Sequence, residues 1–453
     1  DSLIREAAGD AGAGVVLTHD ELHALPASGD VAPFKRDEVA YIQYSSGSTS
    51  APKGVLITQK AIIANAHGIM NHGLDISEND RAFSWLPFYH DMGLVGFCLT
   101  PMLCQMTVDY LATPAFARRP ALWLKLMSDN QSTIAYAPSF GYDLAARRVN
   151  GGASELDLSH WRAAGIGGDM VRADMLSEFA ERMKAAGFDE KAFVPSYGMA
   201  ESTLAISFDT LGKGIVVDNV DRAKMKLSQK AVPVSGREIL LKPERVRSFV
   251  ACGKPMPGHQ LEVRGNDGKV LGEREVGHVM IKGPSLMAGY YHNEEATRAV
   301  IGEDGFLDTG DMGYLLDGQI VLTGRAKDLI LHNGRNIWPQ DIEWSAEQLD
   351  ELRSGDVAAF GVEDENGEEQ VTVLVQCRLR DSEKREALRR DVARVVHQSA
   401  GVECNVVLVP PRSLPFTSSG KLSRAGAKKD YLAGIICEIA SDSQTPQMMA
   451  AAS

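Results

Sequence analysis

The chain has 453 residues, of which 44% are hydrophobic and 24% charged, a composition typical of a soluble globular protein with two or three domains. Its net charge of -13 argues against a general role at nucleic acids or anionic membranes, because an acidic surface is repelled by phosphate polymers and by anionic lipid. The six cysteines form no C-x-x-C pair, which favours reduced thiols in the cytoplasm over disulfides, a zinc site or a redox role.

The first part of the chain has the pattern of an α/β protein. Apolar strands alternate with amphipathic helices over residues 39–197, with a strand at 39–44, a helix capped by Thr58 and a strand at 82–86. This alternation predicts parallel β-α-β layers. The chain begins at Asp1 in what already resembles the middle of such a pattern. We therefore expect the first part of the large domain to precede it.

Two segments within this part need individual interpretation. The most apolar run, residues 92–111, is interrupted by Pro101, Gln105 and Asp109, and it predicts a buried helix followed by a strand rather than a membrane span. Residues 172–186 form an amphipathic helix pattern. Its apolar residues recur at spacings of three and four, which predicts core positions rather than a cofactor site. They are Met175, Phe179, Met183 and Ala186.

The pattern changes in the second half of the chain. Short alternating strands with Gly/Asp turns predict an antiparallel β subdomain over residues 260–323. A domain boundary is expected at about Lys327, which divides the chain into a large domain, 1–327, and a small α+β domain, 328–440. The small domain is predicted to hold a helix from Pro339, strands at 357–362 and 371–377, and a helix at 383–397. The polar tail, 441–453, is predicted to be disordered.

A loop between two strand patterns carries the first functional signal. Residues 44–54 (YSSGSTSAPKG) combine small hydroxyl residues, glycines and a lysine, which are suited to binding phosphate through hydroxyls, backbone N–H groups and one positive charge. The candidate ligands are Ser45, Ser46, Gly47, Ser48, Thr49 and Lys53. The spacing differs from that of the Walker P-loop. The alternative is a plain turn, since Ser, Gly and Pro cluster in turns.

Five further segments occur in a fixed order along the chain. They are residues 85–93 (WLPFYHDMG), 165–169 (GIGGD), 197–203 (YGMAEST), 307–311 (LDTGD) with 324–325 (GR), and 414–421 (LPFTSSGK). Together with the loop they resemble the acyl-adenylate-forming superfamily, whose members join a carboxylic acid to ATP and release pyrophosphate. The resemblance covers about residues 15–434. It implies a large layered α/β domain, a small mobile C-terminal domain, and ATP and Mg²⁺ as cofactors.

The resemblance also implies a role for each matching residue. His90 would lie between the ATP phosphates and the acyl carboxylate, and Lys421 would bridge the carboxylate and the α-phosphate. Glu201 would coordinate magnesium, with Thr49 as a second partner. Lys327 matches the hinge of the small domain. The adenosine contacts would be Gly167, Gly168 and Asp169 at the adenine edge, Tyr197 stacked on adenine with Gly198, Met199 and Ala200 beside it, and Asp311 and Arg325 at the ribose.

Each of these residues also has a structural interpretation. His90 could be a buried histidine at a helix start, and Tyr197 could be an ordinary core residue at a strand end. The T-G-D at residues 309–311 could be only a turn, and Lys421 could be a surface lysine in a flexible loop. Ala200 departs from most relatives, which have threonine there, although the departure recurs in one branch.

That branch is the fatty acyl-AMP ligases, which residues 120–124, 137–144, 198–201 and 334–343 resemble. Residues 208–249 are long enough to hold the insertion typical of the branch, which is thought to disfavour coenzyme A. This resemblance implies a medium- or long-chain fatty acid as substrate and an acyl carrier protein as acceptor. An acyl- or aryl-CoA ligase and an inactive scaffold are the alternatives.

The charge distribution offers weak support for a carrier partner. Residues 378–429 hold twelve bases and five acids, a surplus that could attract an acidic carrier protein. Alternatively, these bases only cover the solvent face of a helix.

Overall fold

The structure is a computed structural model that describes Arg5 and residues 16–26, 33–45, 52–149, 152–242, 245–332, 335–363, 369–417 and 420–439. The chain forms two compact units, Asp1–Glu38 and Val39–Ser453. In the first unit, helix α1 (His19–His23) begins after Thr18. A capping box pairs the Thr18 hydroxyl with the backbone N–H of Glu21, and the Glu21 carboxylate with that of Thr18.

The second unit contains the remaining elements. Its helices are α2 (Gln59–Gly68), α3 (Thr100–Cys104), α4 (Thr113–Arg118), α5 (Ala121–Asp129), α6 (Ser139–Ala146), α7 (Ala173–Met183), α8 (Arg222–Ser228), α9 (Gly236–Leu241), α10 (Glu294–Val300), α11 (Pro339–Ala346), α12 (Ser382–Ala400) and α13 (Arg424–Leu432). Its strands are β1 (Val39–Tyr44), β2 (Gly54–Thr58), β3 (Arg81–Ser84), β4 (Thr107–Tyr110), β5 (Ile134–Ala137), β6 (Ala163–Ile166), β7 (Phe193–Gly198), β8 (Ala205–Phe208), β9 (Val217–Asp221), β10 (Val246–Val250), β11 (Lys254–Pro255), β12 (Gln260–Arg264), β13 (Gly277–Lys282), β14 (Gly289–Tyr290), β15 (Leu307–Leu316), β16 (Gln319–Arg325), β17 (Ile330–His332), β18 (Arg335–Ile337), β19 (Val357–Glu363), β20 (Glu369–Gln376) and β21 (Cys404–Val409).

The largest sheet has the strand order β11-β8-β7-β6-β5-β3-β4. Strands β3 to β7 are parallel, and β8 and β11 extend the sheet in antiparallel fashion. This confirms the predicted β-α-β layers, and Thr58 caps α2 as predicted. Carboxyl ends of parallel strands meet at one edge, so the loops after β3, β6 and β7 lie near each other.

The strand at 39–44 does not belong to the parallel layers, and this part of the prediction was wrong. Strand β1 pairs with β2 in antiparallel fashion, and β14 completes a separate three-stranded sheet. The reason is the length of the connection, because residues 45–53 are fewer than the roughly dozen that a parallel crossover needs. The candidate phosphate loop is therefore the turn of a β-hairpin.

The core beneath the parallel sheet is dominated by aromatic residues. Edge-to-face contacts join Tyr142 and Phe179, whose ring centroids lie 5.0 Å apart, and Phe179 and Phe188, at 5.1 Å. Met175, Phe179, Met183 and Ala186 are buried, as the helix pattern predicted. These helices pack rigidly against the strands whose ends carry the candidate site.

The most apolar run forms a π-helix over Met92–Leu99, then α3 and strand β4. The predicted helix followed by a strand is confirmed, but the helix is buried on one side only, since the side chains of Met102 and Leu103 are exposed. Within the described ranges, no helix is both long and apolar enough to cross a bilayer.

Two small antiparallel β-sheets follow the parallel sheet in the chain. The predicted antiparallel subdomain is present as the sheet β12-β13-β15-β16. Before it, β9 and β10 pair in antiparallel fashion and enclose helices α8 and α9. We call residues 217–250 the insertion module, because they lie largely within the predicted insertion, 208–249.

The C-terminal part has its own hydrophobic core. Sheet β19-β20-β21 packs with α11 and α12 around residues such as Ile342, Val373 and Val392. Its helices and strands lie at the predicted positions. The boundary at Lys327 and the mobility of residues 328–440 remain predictions, and the tail 441–453 lies outside the described residues.

A buried ion pair joins the insertion module to the C-terminal part. Arg247 of β10 approaches Asp341 of α11 with an N–O distance of 2.7 Å, and the two side chains are only 5% and 3% exposed. Burial lowers the pKa of Arg247 to about 10, and the charge of Asp341 opposes that shift. The Arg247 guanidinium also donates to the carbonyl of Thr323 on β16. The pair therefore ties three elements together.

We predict that Arg247→Met destabilises the protein by about 3–5 kcal/mol, because it leaves the Asp341 carboxylate buried without a counter-charge. The double variant Arg247→Met, Asp341→Leu should recover most of that loss, since it removes both charges. Chemical denaturation measures both. The exposed Arg353→Met is the control and should change stability by less than about 0.5 kcal/mol. A single variant as stable as the wild type would contradict the prediction.

Candidate active site

The candidate phosphate loop is closed by its own ends. The Ser45 N–H donates to the Lys53 carbonyl at 2.9 Å, and the Lys53 N–H donates to Ser45 Oγ at 3.2 Å. These bonds extend the pairing of β1 and β2 by one residue on each strand. Ser46, Gly47, Ser48 and Thr49 lie outside the described residues, so their roles remain predictions.

Lys53 and Glu201 are connected through a tyrosine that the sequence did not single out. The Tyr290 hydroxyl donates to Glu201 Oε1 at 2.9 Å, and Lys53 Nζ lies 4.6 Å from the centroid of the Tyr290 ring. Burial raises the pKa of Glu201, and the bond from Tyr290 opposes this shift. Tyr290 was missed because β14 comes from a distant segment in which a tyrosine resembles any core aromatic.

The turn that carries Glu201 has an unusual backbone. Thr203 has φ 66° and ψ -57°, a region that β-branched residues rarely adopt. The Leu204 N–H donates to the Ser202 carbonyl at 2.7 Å, which closes a γ-turn around Thr203. Such a conformation costs about 1–3 kcal/mol and persists only where the surroundings hold it.

One support of this turn is Asn65, a fully buried residue of α2. Its Nδ2 donates to the carbonyls of Ser202 and Ala205 at 3.1 and 2.8 Å, and its Oδ1 accepts from the Ala205 N–H at 3.1 Å. A weak signal for this residue is present in the sequence, since an asparagine on the apolar face of a helix needs hydrogen-bond partners.

A second support comes from Ser285, just before β14. The Thr203 hydroxyl donates to the Ser285 carbonyl at 2.7 Å, and the hydroxyls of Ser202 and Ser285 lie 3.1 Å apart. His259 Nε2 lies 2.6 Å from Ser285 Oγ. The turn is thus held from two sides, which fixes the position of the Glu201 carboxylate.

Asp311, Tyr197 and Arg325 form a second cluster. The Tyr197 hydroxyl donates to Asp311 Oδ2 at 2.7 Å, and Arg325 Nε donates to Asp311 Oδ1 at 3.2 Å. Tyr197 is buried, whereas Arg325 is exposed. Both carboxylate oxygens of Asp311 therefore have donors, and its predicted ribose contacts would add to them.

The candidate adenine loop follows β6. Gly168 has φ 81°, which favours glycine, and Gly167 and Asp169 flank it. The Asp169 carboxylate accepts from the Met170 N–H at 2.8 Å. Gly198, Met199 and Ala200 form the end of β7 and the start of the Glu201 turn. These residues lie at the carboxyl ends of adjacent parallel strands.

His90 lies in the tight turn that precedes the π-helix. Its N–H donates to the Pro87 carbonyl at 3.2 Å, and Gln43 of β1 donates to the Tyr89 carbonyl at 2.8 Å. Gly93 is required by this turn, because an added Cβ would lie 2.2 Å from the Pro87 carbonyl oxygen. Burial raises the pKa of the neighbouring Asp91, and the charges of Lys421 and His90 oppose that shift.

Lys421 lies in a short hairpin of the C-terminal part. Phe416 and Leu422 form a β-bridge, and the Thr417 N–H donates to the Lys421 carbonyl at 2.7 Å. Gly420 lies against Phe140 of α6, since an added Cβ would come within 3.1 Å of that ring. Ser418 and Ser419 lie outside the described residues. The hairpin thus contacts the large part of the unit.

Arg424 anchors this hairpin at its base. Its guanidinium forms a bidentate pair with Glu343 of α11, at 2.8 and 2.7 Å, and reaches Asp328 at 2.7 Å. The negative charge of Asp169 also acts on it. Lys327, the predicted hinge, is exposed in the 3₁₀ turn Ala326–Asp328 that joins β16 to β17.

Electrostatic interactions connect the charged residues described above, although they come from different segments of the chain. The charges of Arg325 and Asp91 both act on Glu201, and the charge of Lys421 acts on Asp91. One region therefore brings together Asp91 and Glu201 near strand ends of the large sheet, Arg325 of β16 and Lys421 of the C-terminal hairpin. Such a region can hold a polyanionic substrate between fixed cations and beside the half-buried Glu201 carboxylate.

Comparison with known proteins identifies the class of protein to which this site belongs. Residues 9–291 match the AMP-binding enzyme family. A solved structure among the fatty acyl-adenylate ligases from E. coli and L. pneumophila is 46% identical, with a TM-score of 0.87, over 96% of this chain and 77% of that one. The chain belongs to the AMP-binding enzyme family, and the likeness confirms the predicted resemblance to its fatty acyl-AMP ligase branch.

Two curated relatives have names that point to different acceptors. The "Putative acyl-CoA synthetase" of Caulobacter vibrioides is 53% identical over 94% of this chain and 73% of its own length. A medium-chain-fatty-acid–[acyl-carrier-protein] ligase of Moorena producens is 34% identical over 88% of this chain and 69% of its own length.

We predict that Glu201→Gln raises the thermal stability of the ligand-free protein at neutral pH, because glutamine keeps an acceptor for Tyr290 and removes a half-buried charge. A raised folded-state pKa means that the carboxyl stabilises the fold fully below its usual value of 4.5 and loses that contribution as pH rises through the folded-state pKa. The variant's advantage should therefore be absent in acid and develop from about pH 4.5 upward.

Melting temperatures measured across a pH series test this expectation. Glu155→Gln, at an exposed glutamate, makes the same change in net charge and should show no such pH dependence. A Glu201→Gln variant that is less stable than the wild type at neutral pH would show that the carboxylate is a net stabilising group.

Proposed function

We propose that this chain is a fatty acyl-AMP ligase, which joins a medium- or long-chain fatty acid to ATP, releases pyrophosphate, and then transfers the acyl group to the phosphopantetheine thiol of an acyl carrier protein. The observation that carries the proposal is the convergence of Lys421, Asp91, Glu201 and Arg325 on one region. Membership of the AMP-binding family supports ATP as the nucleotide.

In this proposal the nucleotide lies across the loops at the strand ends. Tyr197 and the loop at Gly167, Gly168 and Asp169 border the adenine. Asp311, already oriented by Tyr197 and Arg325, accepts hydrogen bonds from the ribose hydroxyls. The hairpin turn after β1 holds the β- and γ-phosphates, and Lys53 supplies a positive charge at its end.

The chemical step is attack by a fatty acid carboxylate oxygen on the α-phosphorus. A new C–O–P linkage forms as the bond to the bridging oxygen breaks, and that oxygen leaves with pyrophosphate. Lys421 neutralises charge on the carboxylate and on the α-phosphate oxygens, where the transition state accumulates it. His90 donates a hydrogen bond to the same group of oxygens, and Asp91 beside it holds the two cations in place.

The residues present fit a magnesium ion. Magnesium in nucleotide sites takes one or two carboxylates and fills its remaining positions with phosphate oxygens and water. Glu201 offers one half-buried carboxylate on a fixed turn; burial raises its pKa, and a bound cation would stabilise its charged form. With Thr49 it would hold the ion, whose chemistry is to neutralise charge on the phosphates.

Coenzyme A is the second candidate acceptor, because the Caulobacter vibrioides relative is named as an acyl-CoA synthetase. The first half-reaction is the same for either acceptor. We place the reaction in the cytoplasm, where ATP, magnesium and carrier proteins occur together.

We predict that Lys421→Ala lowers fatty-acid-dependent ATP–pyrophosphate exchange by at least about a hundredfold, because it removes the cation that stabilises charge in the transition state. Nucleotide binding, measured by calorimetry with a non-hydrolysable ATP analogue, should persist. Lys429→Ala removes an exposed lysine of α13 and serves as the matched control. Unchanged exchange in the Lys421 variant would refute its role.

We also predict that a holo acyl carrier protein is used at least about tenfold more efficiently than coenzyme A, compared as kcat/KM at saturating ATP and dodecanoate. Thioester formation on each acceptor is measured in parallel by mass spectrometry. Efficient acyl-CoA formation would instead assign the chain to the CoA ligases. Absence of acid-dependent AMP release with either acceptor would support an inactive scaffold.

A further inference from the structure

The insertion module carries a concentration of positive charge on an acidic protein. Residues 222–245 contain seven bases and two acids, while the whole chain has a net charge of -13. Lys224 on α8, Arg237 on α9 and Lys242 just after α9 are exposed. This part of the surface therefore has the opposite sign to the protein as a whole.

The same two helices expose large apolar side chains. Leu227 of α8 is 88% exposed, and Leu240 and Leu241 of α9 are 84% and 68% exposed. By contrast, Met225 of α8 is 6% exposed and packs into the core of the module. An amphipathic helix normally covers its leucines, so their exposure marks a surface with a partner.

Both helices belong to one connection between β9 and β10. Helix α8 begins directly after Asp221 of β9, and Arg245, three residues beyond Lys242, donates to the Asp221 carboxylate at 3.3 Å, so the connection starts and ends at the same end of the β9–β10 pair. The exposed bases and leucines therefore lie on one short excursion of the chain. We call Leu227, Leu240, Leu241, Lys224, Arg237 and Lys242 the leucine–lysine patch.

The patch lies next to the C-terminal part of the chain. Arg222 of α8 donates to the Ser399 carbonyl at 2.6 Å, and Lys226 donates to the Ala400 carbonyl at 2.9 Å. These are the last carbonyls of α12, so two cations of α8 cap that helix. The patch is thus located where the insertion module meets the part that carries Lys421.

By contrast, several bases of the stretch at 378–429 are paired. Arg378 pairs with Asp356, Arg389 with Glu438, and Arg394 with Asp391. Arg424 is partly buried between Asp328 and Glu343.

The insertion module also has paired bases, since Arg245 lies against Asp221 and Lys230 against Glu275. Its exposed Lys224, Arg237 and Lys242 form no ion pair with another described residue, so their charge is available to an acidic partner.

We propose that the leucine–lysine patch is the docking surface for the acidic phosphopantetheine carrier domain that accepts the acyl group. The inference rests on the proposed function and names the surface that the second step uses. An apolar centre surrounded by charge is the usual form of a specific, non-permanent interface. Lysines and arginines around the leucines attract an acidic domain and orient it, while the leucines enter its apolar face.

The patch lies within reach of the site. Arg247 lies five positions after Lys242, and an extended chain of that length spans at most about 18 Å. Arg247 contacts the Thr323 carbonyl, and Thr323 lies on β16 two residues before Arg325. A long flexible thiol arm is the part of a carrier domain that bridges such a separation.

A lipid surface fits the patch less well. Helices that lie on membranes usually present a continuous apolar face along many turns, and many have 20–30 residues. Helices α8 and α9 have 7 and 6 residues and expose three large leucines between them. An interface with a small folded domain needs only such a compact apolar centre.

The test separates docking from chemistry. The triple variant Lys224→Glu, Arg237→Glu, Lys242→Glu is compared with the wild type for ATP–pyrophosphate exchange and for transfer to the holo acyl carrier protein of bacterial fatty acid synthesis. We expect unchanged exchange, a KM for the carrier raised at least about tenfold, and a weaker dependence of transfer on salt. Transfer to free pantetheine, which has a thiol but no acidic domain, should be unaffected.

The control reverses three exposed bases elsewhere: Lys125→Glu, Lys184→Glu, Arg298→Glu. It makes the same change in net charge and should leave the KM for the carrier unchanged. The pair Leu240→Ser, Leu241→Ser should also raise that KM, because it removes the apolar centre without altering charge. Both leucines are exposed, so the fold should tolerate the change.

Three results would overturn the proposal. The first is an unchanged KM for the carrier in both patch variants, while exchange remains active. The second is an equal effect of the control variant, which would indicate long-range steering by net charge alone. The third is that the wild type binds vesicles of equimolar phosphatidylcholine and phosphatidylglycerol and the patch variants do not, while their KM for the carrier is unchanged. That result would assign the patch to lipid. A wild-type protein without exchange activity would instead contradict the proposed function itself.

Discussion

The site depends on how residues 330–439 are seated against the rest of their unit, and buried ion pairs provide that seating. Arg172 pairs with Glu347 at 2.8 Å, Arg247 with Asp341 at 2.7 Å, and Arg424 holds Glu343 and Asp328 around the hairpin of Lys421. Burial raises the pKa of Glu347 to about 7, and the Arg172 charge opposes that shift. In this seating the charge of Lys421 acts on Asp91. The cation that we propose to act at the reacting atoms is thus positioned by charges that lie away from them.

This arrangement restricts how the second step can proceed. Breaking a buried pair by removing one partner costs about 3–5 kcal/mol, so a rotation about Lys327 that separates Arg247 from Asp341 must replace their contacts with others. The Glu201 turn, by contrast, has no need of the C-terminal part. Asn65 and Ser285 hold this turn, with its strained Thr203, by hydrogen bonds among residues that precede residue 327. The Glu201 side of the site, which we propose to bind the metal, would therefore stay fixed during the proposed rotation of the part that carries Lys421.

The sequence predicted those features of the fold and site that depend on local pattern. Short sequence motifs singled out His90, Glu201 and Lys421, because the neighbours that make each motif recognisable are adjacent to it in the chain. Asn65, Ser285 and Tyr290 were missed because their roles come from contacts with residues that are 82 to 140 positions away. The β1–β2 hairpin was misjudged for a related reason, since a strand pattern does not reveal its partner. The surplus of bases at 378–429 is also visible in the sequence, but only the structure shows which of them, such as Arg378 and Arg424, are paired with acids.

Helix α8 of the insertion module has two faces with different contacts. Arg222 and Lys226 of α8 cap the carboxyl end of α12, while Lys224 and Leu227 between and beside them face solvent. An acidic partner bound to the outer face places negative charge within one helical turn of the capping cations. Such a charge would compete with the α12 carbonyls for the same cations, so docking at the proposed patch would be energetically coupled to the seating of the C-terminal part. The coupling is reciprocal, because a partner that binds one seating more tightly must also shift the protein toward that seating.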